Sequence, residues 1–170
     1  MSRRIPQRSV LQVHRVALAI GLFLLPLSAS AQHHESGALS QFAGNWTGEG
    51  TVKMSAGNER IRCKVHYDVA SDGASLEQTL KCASASYKLE IRSKVAATGS
   101  KFAGKWKEVT RDTIGNISGT ITSTGIRATI DGIGFTADLV MSVEANRQSI
   151  TINPTGATDI SNVAITLTRI

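Results

Sequence analysis

The residues best equipped for chemistry in this chain are two cysteines, Cys63 and Cys82, and a small set of histidines. A redox-active cysteine pair is usually written Cys-x-x-Cys, with one thiolate stabilised beside the other. Cys63 and Cys82 lie too far apart for that and suit a structural cross-link. Beyond the first 31 residues the histidines are His33, His34 and His66. His66 shares a strand face with Arg62, Lys64 and Asp68, the setting of a surface residue rather than a ligand. With serines scattered and one histidine in the body of the chain, no Ser-His-Asp arrangement can be assembled. No Gly-rich phosphate loop precedes a helix. The expectation is a protein that is not an enzyme and carries no cofactor. One metal site is conceivable, because cleavage after Ala31 exposes Gln32-His33-His34, and a free amine with nearby histidines suits square-planar Cu(II) or Ni(II). Against it, an N-terminal Gln cyclises and loses its amine, and short tails are usually disordered.

The compartment follows from the first 31 residues. Arg3, Arg4, Arg8 and Arg15 form a basic start, "VALAIGLFLLPL" (16–27) is an apolar run, and Ala29-Ser30-Ala31 is a small-x-small cleavage pattern. The run is too short for a permanent membrane span. We expect a signal peptide over 1–31, a flexible arm over 32–40 and one domain over 41–170. The destination is the bacterial periplasm or the exterior, with no stable membrane anchor after cleavage. Removing four arginines from 19 basic residues leaves 15 against 13 acidic ones, a net charge of +2. The high pI thus belongs mostly to the export signal, and nucleic-acid binding loses its support.

The elements that must position any site are strands. In "ERIRCKVHYDV" (59–69) Ile61, Cys63, Val65, Tyr67 and Val69 take one face, and Arg62, Lys64, His66 and Asp68 the other. "SYKLEIR", "GIRATID", "GFTADLVMSV", "QSITINP" and "NVAITLTR" alternate likewise. Eight to ten strands broken by Gly, Ser, Asn and Asp imply an all-β, antiparallel up-and-down barrel or a sandwich. Asp72-Gly73 suits a two-residue type I′ turn. Centring a hairpin there pairs Val69 with Leu76, Val65 with Leu80, and Cys63 with Cys82. In an exported chain that facing pair argues for a disulfide. The same register sets Asp68 against Glu77 and Lys64 against Lys81, and it puts the cysteines at a hydrogen-bonded pair with a Cα gap of about 5.5 Å.

"FAGNWTGEG" (42–50) opens the body of the chain, and "FAGKW" returns at 102–106. Gly44, Trp46, Gly48 and Gly50 make a Gly-x-Trp-x-Gly-x-Gly stretch that resembles the opening signature of the calycin barrels. These include the lipocalins, the fatty-acid-binding proteins and the nitrobindin-like haem-binding barrels. The resemblance implies a calycin-like barrel of 8–10 strands. It also implies that Trp46 plugs one end, with Gly44 at the bend and Arg169 on the last strand stacked over the indole. Nitrobindin-type haem binding needs a histidine late in the chain, and no histidine follows His66. The second Phe-Ala-Gly-x-Trp is compatible with two related halves, with a duplicated hairpin, or with convergence on one strand start.

Two functions stay open. In the first, the barrel binds a small apolar or amphipathic ligand through Trp46, Tyr67, Trp106 and Phe135. Glu108 shares a face with Trp106, and is either an inward carboxylate that pairs an arginine or holds a polar headgroup, or an ordinary surface residue. In the second, the chain is a protein-interaction module, such as an inhibitor of an exported protease or lysozyme. The interior discriminates between them.

Overall fold

The computed structural model describes residues 37–156 and 158–170. The expected signal peptide, the first part of the arm, and His33 and His34 lie outside the described residues. A short 3-10 helix, Ser40–Phe42, leads into ten strands. These are β1 (Gly44–Met54), β2 (Gly57–Val69), β3 (Ser75–Ala83), β4 (Lys88–Thr98), β5 (Lys101–Glu108), β6 (Thr113–Thr122), β7 (Gly125–Gly132), β8 (Phe135–Glu144), β9 (Arg147–Pro154) and β10 (Ile160–Arg169). Each pairs antiparallel with its neighbours in sequence, and β10 returns to β1, so the sheet closes into an up-and-down barrel. Closure removes the unpaired edges that an open sheet of this length would expose.

Alternation decides the faces. On β2, Ile61, Cys63, Val65 and Tyr67 are buried, while Arg62, Lys64, His66 and Asp68 between them are exposed. The hairpin β2–β3 has the expected partners, including Cys63 with Cys82, and these two cysteines form a disulfide. Its turn differs from the expected one. Ala70 N–H donates to Ser75 O (3.0 Å), so the loop holds four residues rather than two. Gly73 alone takes a left-handed φ of +65°, and Asp72 Oδ1 accepts the Ala74 N–H at 2.9 Å, a local bond that competes with a tight type I′ turn. Lengthening the loop flips the parity of the ladder. The cysteines therefore sit at a non-hydrogen-bonded pair with Cα atoms 4.1 Å apart, not at the wider hydrogen-bonded spacing. The facing like charges are relieved from β4, whose Lys94 reaches Glu77 (2.6 Å) and whose Glu90 meets Lys81 (3.5 Å).

One end of the barrel is closed by the segment that precedes β1. Leu39, expected in the flexible arm, is 2% exposed, as is Phe42. Leu39 N–H donates to Gly73 O, which moors the segment to the β2–β3 loop. Trp46 fills the space beneath at 1% exposure, its Nε1 donating to Phe42 O at 2.8 Å. Trp46 and Arg169 are Cα partners across the β1–β10 seam, and the Arg169 guanidinium stands 4.2 Å from the indole centroid. Its Nη2 donates to Gln41 O at 2.7 Å and its Nη1 to Ala43 O. Gly44 turns the chain into β1 with φ +103°, a conformation open to glycine but strained for a residue with a Cβ.

The two Phe-Ala-Gly-x-Trp copies do not occupy equivalent places. Phe42 precedes its strand and Gly44 bends into it, whereas Phe102 and Gly104 lie within β5. Trp46 is sealed at the closed end, while Trp106, near the end of β5, is only half-buried.

Trp46→Ala should cost about 3–5 kcal/mol in chemical denaturation, the usual range for a truncated core aromatic. Arg169→Ala should cost about 2–3 kcal/mol, since it removes a stacked cation and charge-assisted bonds to two carbonyls. Arg169→Lys should recover little, because an ammonium cannot reproduce the planar fork. Thiol alkylation without reductant should label neither cysteine, and the Cys63→Ser/Cys82→Ser pair should lose about 3 kcal/mol by the loop-entropy estimate.

Candidate ligand-binding end of the barrel

Burial along the inward face is uneven. Around the closed end Tyr67, Leu76, Phe102, Ile126, Leu139, Ile150 and Leu167 are all buried. Toward the far ends of the strands the inward residues Met54, Ile91, Trp106, Ile117, Ile130, Phe135, Ile152 and Ile160 are only half-buried. Solvent therefore reaches apolar side chains at this end, which we term the open end. Hydrophobic residues at half exposure on a concave wall are the usual lining of small-molecule sites.

The candidates read from the sequence separate between the two halves. Tyr67, Trp106 and Phe135 lie on one register row that crosses seven strands: Tyr67, Gln78, Ser93, Trp106, Gly115, Gly132, Phe135. Tyr67 is buried at 3% exposure, its ring 6.0 Å from that of Phe42. Its hydroxyl donates to Gln148 Oε1 (3.2 Å), and Gln148 Nε2 lies 3.1 Å from Met141 Sδ. Burial pushes the phenol far above its ordinary range, with the bond to Gln148 offsetting this only in part, so Tyr67 stays a neutral donor. Trp46 belongs to the closed end and faces no open surface. Trp106 and Phe135 are at the open end.

Trp106 owes its place to missing side chains opposite it. A Cβ added to Gly115 would stand 2.6 Å from the indole, and one on Gly132 would stand 2.8 Å from it. The ring thus lies against bare backbone, and its Nε1 donates to Asn116 O (3.1 Å) and Asp131 O (3.2 Å). Beside it on the same row, Ser93 Oγ donates to Gln78 Oε1 at 2.9 Å. These two half-buried polar groups, and Gln148 further in, were not singled out from the sequence. Their signal was there, since each occupies an inward position in a run that otherwise alternates apolar and polar.

Glu108 is 6% exposed and takes a structural task. Its carboxylate accepts the backbone N–H groups of Thr110 (3.0 Å) and Arg111 (2.6 Å), so it caps the turn between β5 and β6. The Arg111 guanidinium stands 3.7 Å away. Partial desolvation raises its pKa, but the backbone donors outweigh this and hold the group below the ordinary carboxylate range. His66 faces outward, with Nδ1 2.8 Å from Asn45 Oδ1. Among the described residues no histidine faces the interior, so the residues present do not fit a haem site. No cluster of metal-ligating side chains occurs among the described residues either.

The outer wall carries an open cleft of about 940 Å³ across β2 to β7, lined by charged residues such as Asp68, Arg92, Lys105 and Asp131 and also by residues of the Gln78–Ser93–Trp106 row, whose strands form the wall between the cleft and the interior. Ile114 and Ile133, 61% and 89% exposed, also line it.

Glu108→Gln should destabilise the fold by roughly 1–3 kcal/mol at neutral pH, since an amide oxygen replaces an ion at two backbone donors. The depressed pKa means that this stability is present above the unfolded value, about 4.3, and is lost as pH falls through the folded one. Denaturation of wild type and variant at pH 7 and at pH 3 should show the gap closing at the lower pH.

No protein-family model and no curated protein matches the chain. Among solved structures, the chain is similar to the crystal structure of Rv2717c from M. tuberculosis, at 14% sequence identity and a TM-score of 0.64 over 78% of this chain and 95% of that one. At this identity the likeness is one of fold, a β-barrel of comparable size.

Proposed function

We propose that this is an exported, non-enzymatic binding barrel that takes a small apolar or amphipathic ligand at its open end. The observation that carries the reading is the asymmetry of the interior. Leu39, Phe42, Trp46 and Arg169 seal one end, while at the other a ring of inward isoleucines with Trp106 and Phe135 stays half-exposed. A barrel with no binding task gains by burying such side chains, at about 25 cal/mol for each Å². The disulfide suits an oxidising compartment, and no described helix is long and apolar enough to cross a membrane. A calycin-like ancestry agrees with the Gly-x-Trp opening, the position of Arg169 on Trp46 and the closed barrel.

A second reading, a protein-interaction module such as an inhibitor of an exported protease or lysozyme, draws on the outer cleft and its exposed Ile114 and Ile133. Contiguous exposed apolar residues rimmed by charge mark contact surfaces. The inward ring supports the ligand reading more directly, because its isoleucines with Trp106 and Phe135 form an apolar wall that stays only half-buried.

Titration with N-phenyl-1-naphthylamine, an uncharged probe, should give a saturable rise in emission. Ile130→Glu, which places a charge on the inward wall, should weaken binding about tenfold or more, that is by at least about 1.4 kcal/mol. Ile133→Lys on the outer wall should leave it unchanged. A non-saturable signal, or one that responds to Ile133→Lys and not to Ile130→Glu, overturns the reading in favour of the outer face.

A further inference from the structure

The inward face of the open half carries charge of one sign, and this bears on which ligand the proposed site can hold. By strand alternation two carboxylates occupy its rim. Glu59, near the start of β2, is bonded by the hydroxyl (2.5 Å) and the backbone N–H (3.3 Å) of Ser86. Glu108, at the end of β5, caps the next turn along that rim. Among the described strands the one inward-facing cation is Arg169, which lies at the opposite end, stacked on Trp46 and bonded to two carbonyls. Arg111 belongs to the turn and already faces Glu108, with its side chain 61% exposed. Hydrogen bonds from Ser84 and Ser86 hold Glu59 below the ordinary carboxylate range, so both rim groups are ionised at neutral pH.

Deeper on the wall the polar groups are uncharged. Ser93 donates to Gln78 Oε1, which leaves the Gln78 amide N–H groups directed to no partner among the described residues. Trp106 stands next on the row and offers an apolar surface. A ligand oxygen can accept from the Gln78 amide while an apolar body lies on Trp106, Ile117 and Ile130. A ligand carboxylate would instead leave water without a cation to meet it, and would face Glu59 and Glu108. Burying a charge without a partner is disfavoured by several kcal/mol even where the surroundings relax.

We infer that the open end selects uncharged amphiphiles, an apolar body bearing a hydroxyl, ester or carbonyl oxygen, and rejects the carboxylate of the same skeleton. This rests on the ligand-binding reading above and adds a rule of selection to it.

The test is competition at pH 7.5 against bound N-phenyl-1-naphthylamine by three ligands that share a decyl chain: 1-decanol, decanoate and decyltrimethylammonium. Decanol should displace the probe with an affinity about tenfold or more above that of decanoate. Gln78→Leu should weaken decanol severalfold more than it changes the affinity of the probe, which lacks an oxygen and is titrated on the same variant. Ser93→Ala, which frees the Gln78 carbonyl but keeps its amide, should affect decanol less. Decanoate binding as tightly as decanol, or more tightly than decyltrimethylammonium, which the two rim carboxylates do not repel, overturns the rule while the probe's own binding keeps the ligand reading intact. If the probe itself fails to bind, the ligand reading falls and the rule with it.

Discussion

Closing a ten-stranded sheet brings its first and last strands together, and in this barrel the seam is marked by one stacked pair, Trp46 on β1 and Arg169 on β10. The two residues are register partners, so the cation stands over the indole only when the seam is formed in the correct alignment. A slip of one residue would turn Arg169 outward and remove it from the ring. The guanidinium also donates to two carbonyls of the segment that leads into β1, Gln41 and Ala43, and so ties the plug of Leu39 and Phe42 to the end of the chain. Arginine suits this place because its planar fork stacks and donates at once, and because it stays charged when partly desolvated.

From that seal follows the gradient of burial along the barrel. With one end filled by Phe42 and Trp46, Tyr67 is shut from water, and its hydroxyl must find a partner inside the protein. Gln148 supplies it from β9 and passes the chain of contacts on to Met141. A buried polar group left alone there would be costly, so the Tyr67–Gln148 pair is best viewed as a consequence of the plug. At the other end nothing comparable covers the interior among the described residues. Glu108, for which the sequence left an arginine pair, a headgroup contact or a surface place open, holds a turn that shapes the rim and has the Arg111 guanidinium beside it.

The glycines serve the same asymmetry in a local way. Gly44 allows the bend at the closed end, whereas Gly115 and Gly132 clear room for Trp106 at the open one. The repeated Phe-Ala-Gly-x-Trp therefore solves two different packing problems. The first copy buries its indole under a capping segment, and the second lays its indole on bare backbone where solvent still reaches it.

The alternation of apolar and polar residues was enough, by itself, to determine the strands and their inward faces, and Asp72-Gly73 at the hairpin centre added the facing of Cys63 with Cys82. The expectation that Gly44, Trp46 and Arg169 meet at a barrel closure came instead from the resemblance of the Gly-x-Trp stretch to the calycin opening, and the three do meet at the β1–β10 seam. The four-residue loop at Ser71–Ala74 was beyond the sequence pattern, since Asp-Gly suits several turns and the choice was made by the Asp72 side chain and by the docking of Leu39 on Gly73. The task of Glu108 was beyond it too. Alternation says that a carboxylate points inward, but whether backbone donors await it depends on how the next turn folds over the rim. Only the closed barrel decided that Trp46 would be sealed and Trp106 left half-open, because two identical short motifs acquire different burial from what lies across from them.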